Sequence, residues 1–327
     1  MNIYVTVQNV LISNANAMQC MAVYGVPSAT QWNGYFDCIR RMFNKCDIGM
    51  NLKVNGFNIS YIRCNMNTFT ANQIFKQDGR EIRKQFTGFC STADYLQTPS
   101  DGWKNSDIHG KIAWENPRIS FRCNIALDLE IENYQDTRKK DFLKLFKMFF
   151  FKYKPCGGCI CVDEKIRFSI YKELCDDIKT DLMSGSVLID CTQELNEYHE
   201  QSSNKDILSS LMDFLVLTKE YEKQNDESEI EEVEIEKDIQ KDSNKKFKWV
   251  KKKKGKYVPF TNGIRKFGIA PFVIPSKQDE SLIFGESIIT LAQFAIPTKL
   301  KLNELFWYTK IEDNYNFLTN VKENENG

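Results

Sequence analysis

Histidine is almost absent from this chain. Its 327 residues include two, His109 and His199. A His-based triad, a His-rich metal site or an imidazole general acid would have to use one of them. Both stand in polar, loop-like sequence, where a solvated histidine is the expected reading. Net charge is absent as well: 44 Lys+Arg balance 44 Asp+Glu. That balance excludes a chain that is basic or acidic throughout and leaves only local asymmetry to point to partners. No run is long and apolar enough to cross a bilayer; "KLFKMFFFKYK" is short and lysine-flanked. The opening "MNIYVTVQNV" has no basic n-region and no clean apolar core, so no signal peptide, no membrane partner and a cytoplasmic location are expected. P-loop, GxGxxG, HExxH and GxSxG motifs are missing too. Carboxylates are plentiful and densest in one acidic run, and no pair is placed across a cleft.

What remains is an ordinary globular composition, 42% hydrophobic. The length suits two domains or one elaborate one. A chain of this size buries roughly 75% of its unfolded surface and needs no disulfides to hold a core. The 11 cysteines are scattered and odd in number, and read as reduced thiols serving as small core residues.

Period-two alternation marks a strand at residues 2–12. Residues 28–43 have helical spacing, with Pro27 before them and an S-x-x-Q capping box at Ser28 and Gln31. "LKVNGFNISYIRC" reads as strand, turn and strand about Asn55-Gly56. Residues 66–110 are polar and predict a long loop. "RISFRCNIALDLEIE" is a strand over 118–132, residues 137–153 a helix, and "CGGCICVD" a glycine turn into a strand. The order over about 1–163 is that of a βαββαβ unit. "LMSGSVLIDCTQEL" adds a strand. "NKDILSSLMDFLVLTKEYEK" predicts a helix over 204–223 capped at Asn204. An acidic run, "NDESEIEEVEIEKDIQKD", reads as a solvated insertion, and the aromatic tail returns to the core.

Three features could carry chemistry. Cys156, Cys159 and Cys161 give a CxxC plus one, whereas a structural zinc site needs four ligands. Cys175 or Cys123 could complete it, but no spacing argues for either, and no metal is expected. Gly157-Gly158 allow positive φ, as a helix cap or against a phosphate. The run holding Lys245, Lys246, Lys248, Lys251, Lys252, Lys253, Lys254 and Lys256 interleaves Phe247, Trp249, Tyr257 and Phe260. Lysines that neutralise phosphate and aromatics that stack bases suit an extended nucleic-acid strand. A solvated lysine loop balancing the acidic run accounts for them equally well. The helix start at Ser28 offers N–H donors and a positive dipole end, and Arg40 and Arg41 extend that helix.

Several blocks then resemble one family. "SNANAMQCMAVYGVPSATQWNGYFDCIRRM" carries Asn14-Ala15-Asn16-Ala17, Gly25-Val26-Pro27 and an intrahelical Gly34. It is similar to the N-terminal signature of the Cas-five-type subunit of type I-F CRISPR surveillance complexes, the second subunit of the Csy complex, with Val26 for the usual Phe. "KVNGFNISYIRCN", "ENPRISFRCNIALDLEIE", "KPCGGCI", "LMSGSVLID", "YVPFTNGIRKFGIAPF" and "ESIITLAQFAIPTKLKLNELFWY" follow in the family's order. Asn116-Pro117, Ser184 and Ser186 depart from its pattern. The resemblance implies an α+β fold: a ferredoxin-like (RRM-like) palm over 1–200 with a long loop at 66–117, a thumb-like insertion over 201–262, and a segment over 263–327 returning to the palm. It implies no catalysis and no cofactor. The implied partners are the 5′ handle of the CRISPR RNA, the large subunit, a backbone subunit and target double-stranded DNA near its flanking motif. The RNA-gripping residues would be Asn14, Asn16, Ser28, Gln31, Trp32, Arg40, Lys154, Gly157, Gly158, the eight lysines with Trp249, and Arg265 and Lys266. An RNA-processing endoribonuclease on a related palm is the alternative; its usual histidine would have to be His109 or His199.

Overall fold

The computed structural model describes residues 1–20, 22–46, 48–77, 80–89, 117–202, 206–221, 247–267, 272–273, 281–282 and 284–320. The elements are β1 (Asn2–Asn16), β2 (Met18–Cys20), β3 (Val23–Tyr24), α1 (Ala29–Asn44), β4 (Leu52–Met66), β5 (Thr68–Gln77), β6 (Arg80–Phe89), β7 (Arg118–Ile131), α2 (Lys139–Lys152), β8 (Cys159–Cys161), β9 (Arg167–Tyr171), α3 (Asp176–Leu182), β10 (Ser186–Asp190), α4 (Thr192–Gln201), α5 (Ile207–Leu215), β11 (Leu217–Tyr221), β12 (Phe247–Lys251), β13 (Tyr257–Lys266), β14 (Phe272–Val273), β15 (Ser281–Leu282), β16 (Gly285–Ala295), β17 (Trp307–Glu312) and β18 (Tyr315–Thr319). The fold is α+β, built on one large antiparallel sheet.

In the first half, β1 lies between β7 and the short strands β8 and β9, and β4 pairs the far edge of β7. Two helices close one face of these strands. Six residues of α1 are buried there: Ala29, Trp32, Tyr35, Phe36, Ile39 and Phe43. From α2 come Phe142, Phe146, Phe149 and Phe150. Trp32 meets Phe121 of β7 edge-on at 6.1 Å, and Phe43 meets Phe142 at 5.7 Å. Each buried aromatic contributes roughly 1.5–3 kcal/mol, so this layer is the main hydrophobic store of the fold. The opposite face is covered in part by α3. Its Asp181 accepts from Thr6, from Gln8 at 2.5 Å and from Tyr171 at 2.8 Å, and its backbone carbonyl accepts from Asn124 at 2.7 Å.

The second half closes on β4. Its outer edge takes β17 at Gly56–Phe57 and β10 at Ser60–Tyr61. Strands β16, β13 and β18 join those two, so the six strands form a ring. A small cluster of Cys191, Leu195, Leu211, Phe214 and Leu291 fixes α4 and α5 to it.

Four sequence expectations are corrected. Asn55-Gly56 is no turn: β4 runs straight through with a bulge between Val54 and Gly56. Glycine is needed there because a Cβ would lie 2.9 Å from the Tyr308 ring and 3.0 Å from the Trp307 carbonyl oxygen. The polar stretch after Met66 holds a hairpin, β5 with β6, rather than loop; residues 90–116, with His109, lie outside the described residues. The helix expected over 204–223 is α5 alone, capped by Asp206, whose carboxylate accepts from Ser209 N–H at 2.8 Å. Asn204 lies outside the described residues, and the chain turns extended at Val216 into β11, where Val216, Thr218 and Tyr221 favour strand. His199 sits in the last turn of α4, its Nδ1 3.2 Å from the Ser210 hydroxyl, rather than in a solvated loop.

Candidate nucleic-acid interface

At one end of the sheet the segment after β1 meets the turn after α2. Asn16 folds that segment back: its Nδ2 donates to the Met18 carbonyl and its Oδ1 accepts the Met18 N–H, both at 3.1 Å. Gln19 then bridges Val26 and Thr261, tying the segment to β13. The capping box at the start of α1 is complete. Ser28 N–H donates to Gln31 Oε1 at 2.9 Å, and Gln31 N–H donates to Ser28 Oγ at 3.2 Å. Gln31 Nε2 also donates to Met18 O at 3.0 Å. The other wall is a 3-10 turn over Pro155–Gly157, with Cys156 at φ 49 and Gly157 at φ 76 in the left-handed region.

Between these walls lies an open cleft of about 600 Å³. Gln31, Gly34, Tyr35 and Cys38 line it from one stripe of α1; Asn16, Arg118, Tyr153, Lys154 and Gly157 line the rest, with Met18 and Cys156. Residues more than a hundred positions apart in sequence thus form a single surface, part apolar and part polar. Lys154 is exposed at its mouth, and Arg118 donates to the Asn14 carbonyl at 3.4 Å.

Not every expected contact residue faces this surface. Trp32 is 1% exposed and donates its indole N–H to Tyr61 at 2.9 Å; it is core. Ser28 is fully buried, with its N–H and Oγ both used by the cap. Gly158 is buried because β1 leaves no room for a side chain: a Cβ would lie 2.8 Å from Ile12. The Gly157 and Gly158 N–H groups bond to the carbonyls of Lys154 and Pro155 at 3.4 and 2.8 Å, so neither is an idle donor. Arg40 pairs with Asp37 at 2.7 Å. Asn14 is exposed at φ 59 and accepts from Asn67.

The lysine run divides. Lys245 and Lys246 lie outside the described residues. Lys248 and Trp249 lie in β12, with Lys248 exposed. Lys251, Lys252 and Lys253 serve the fold. Lys251 donates to Gly255 O at 2.6 Å, Lys252 pairs with Asp213 at 2.8 Å, and Lys253 Nζ lies 4.0 Å from the Tyr198 ring centroid. Tyr257 packs edge-on against Phe214 and bonds Glu194 at 2.7 Å; burial, then that carboxylate, push its hydroxyl up. Lys254 and Lys256 remain exposed. Arg265 pairs with Glu286 at 3.4 Å, and half-buried Lys266 ends β13 nearby.

Two residues escaped the sequence reading. On the sheet face opposite α1 and α2, beyond α3, Arg63 of β4 and Arg122 of β7 are register partners, followed across the sheet by Leu11 and Cys161. Register partners share a face, and like charges directly opposite repel. No carboxylate among the described residues pairs with either arginine. The alternation in "RISFRCN" was the available signal, since buried Ile119, Phe121 and Cys123 put Ser120 and Arg122 on the other face. The cysteines part company: Cys156 is in the core, Cys159 and Cys161 are exposed on β8, and the described residues hold no group of three His, Cys, Asp or Glu able to bind a metal.

The family model of the CRISPR-associated protein (Cas_Csy2) matches residues 5–318. The chain belongs to the Cas_Csy2 family. It is therefore a Csy-type CRISPR protein, a subunit of a Csy complex. The matched span includes the cleft, the arginine pair and the ring of strands together. No curated protein sequence matches the chain. Among the described residues no helix is long and apolar enough to cross a membrane.

Proposed function

We propose that the chain is a non-catalytic RNA-gripping subunit of a type I-F CRISPR surveillance complex. It holds the repeat-derived 5′ handle of the CRISPR RNA, pairs with the large subunit, abuts a backbone subunit and stands where target DNA is opened beside its flanking motif. The palm is ferredoxin-like on this reading: its strands lie in the order fourth, first, third, second, with both helices on one face. One observation carries the proposal. The family-signature segment after β1 and the glycine turn after α2 meet on one cleft, partly apolar and edged by the cations Arg118 and Lys154. The opposed pair Arg63 and Arg122 supports it, because two adjacent cations that pair with no carboxylate among the described residues favour a polyanion. His199, bonded to Ser210 and not among the residues that line the cleft, supports a binding rather than a cleaving role there.

The test is binding of a fluorescein-labelled RNA with a repeat-derived 5′ segment to the complex assembled with its partner subunits. Replacing both Arg63 and Arg122 with Ala should make the slope of log K against log salt shallower by about 1.4, two single-strand phosphate contacts. An unchanged slope and affinity would remove these arginines from the RNA path.

A further inference from the structure

Gly34 sits inside α1, five residues beyond its first, where glycine costs a helix about 1 kcal/mol relative to alanine. A fold that keeps a glycine in a helix normally does so because a neighbour presses on it. Nothing presses here: a Cβ built at Gly34 would meet no atom within 4 Å. Its φ is not in the left-handed region, so the backbone does not require glycine either. The fold has no use for the missing side chain, yet the residue faces the cleft with Gln31, Tyr35 and Cys38. What it does supply is a bare turn of helix that an occupant can approach to backbone distance.

The rest of the cleft indicates what that occupant is. The Tyr153 ring stacks on Phe149 at 6.2 Å and 20°, with Lys152 Nζ 5.8 Å from its centroid. Arg118 and Lys154 stand at the same mouth: the Cβ that Gly157 lacks would lie 3.7 Å from Arg118 Nη1, and Lys154 belongs to the same turn as Gly157. Two cations, an aromatic ring and an exposed helix turn suit a nucleotide, an anion joined to a flat polar ring.

We infer that the cleft seats one nucleotide of the bound RNA, its phosphate at Arg118 and Lys154 and its sugar or base against the bare turn at Gly34. This inference rests on the RNA-binding reading and names where on the chain one nucleotide is held. Its signature is a pair of effects of opposite sign. Filling the bare turn strengthens the helix and blocks the seat.

The experiment uses the assembled complex and the same labelled RNA with three versions of this chain: unaltered, Gly34→Ala and Gly34→Leu. The expected result is a melting midpoint for Gly34→Ala that is ~1–3 °C higher, with RNA affinity lower by about tenfold and lower still for Gly34→Leu. Cys38, in the same cleft, gives a second readout: RNA should slow its alkylation in the unaltered complex, followed by mass spectrometry. If the unaltered complex binds RNA while both variants bind equally well and Cys38 reacts at one rate throughout, the seat is overturned and the RNA-binding reading stands. If Gly34→Leu keeps RNA but sheds a protein subunit, the cleft is a protein contact and the inference is overturned. If the unaltered complex binds no RNA, the RNA-binding reading fails and takes the seat with it.

Discussion

A methyl group at Gly158 would lie 2.8 Å from Ile12 Cγ2 and the Ser13 carbonyl oxygen, and 2.9 Å from Ala15 Cα. Two of these neighbours are backbone atoms of β1 and cannot rotate away. Gly158→Ala is expected to cost ~1–3 kcal/mol of overpacking, read as a lower urea midpoint; an unchanged midpoint would mean that β1 yields more easily than this packing allows. Trp32 tests a different contact. Trp32→Phe keeps a ring in the core but removes the donor to Tyr61, which leaves the Tyr61 hydroxyl with a 3.4 Å contact to the Pro27 carbonyl. The expected loss is ~1–3 kcal/mol by urea unfolding. At this scale the sequence is a weak guide to contact. Ser28 and Trp32 read in the string as RNA-contact residues at a helix start, but the cap draws one inward and the aromatic layer the other. Register alone brings Arg63 opposite Arg122, and register is a product of bulges that no single residue announces.

Helix α1 was legible because its start is written locally: Pro27, the Ser28–Gln31 box and apolar residues at helical spacing. The β5–β6 hairpin was missed although Asp78-Gly79 stands between Thr-, Phe- and Ile-containing stretches, a hairpin signal that the surrounding polar residues outweighed. The lysine run was read as one feature and is two. Lys252 neutralises Asp213, which is 10% exposed, whereas Lys254 and Lys256 face solvent. Lys252→Ala should therefore lower stability by ~1–2 kcal/mol, since it removes one cation from a largely buried carboxylate. The Lys254→Ala/Lys256→Ala pair should leave the melting midpoint in place; equal shifts for both would contradict the division. At the junction of β10 and α4, the Asp190 carboxylate caps α4 by accepting from Thr192 N–H at 3.0 Å. Burial nonetheless raises its pKa, and the hydrogen bonds only partly offset this. The folded state thus holds the Asp190 proton to higher pH than the unfolded chain does. Its contribution is full below the unfolded pKa and is lost as pH rises through the folded one. Asp190→Asn, which keeps an acceptor for the cap, should gain stability relative to the unaltered chain as pH rises from 4 toward 7; a gap that narrows over that range would contradict this.

For the whole molecule, the strands β1 and β7 and the helices α1 and α2 of the first half were legible because alternation and amphipathic spacing are local signals. The ring closed by β10, β13, β16, β17 and β18 was not legible, since β4 divides its outer edge between β17 and β10 and nothing local encodes a shared edge. The cleft belongs to this scale too: its two walls were both singled out in the sequence, and only the fold joins them. On the proposed function, this joined surface grips CRISPR RNA. The direct measurement is to express the chain with its neighbouring complex genes and a matching CRISPR array, capture this subunit and sequence the RNA that accompanies it. The expected result is a uniform RNA with a repeat-derived 5′ end. Partners captured in full with no such RNA would contradict it.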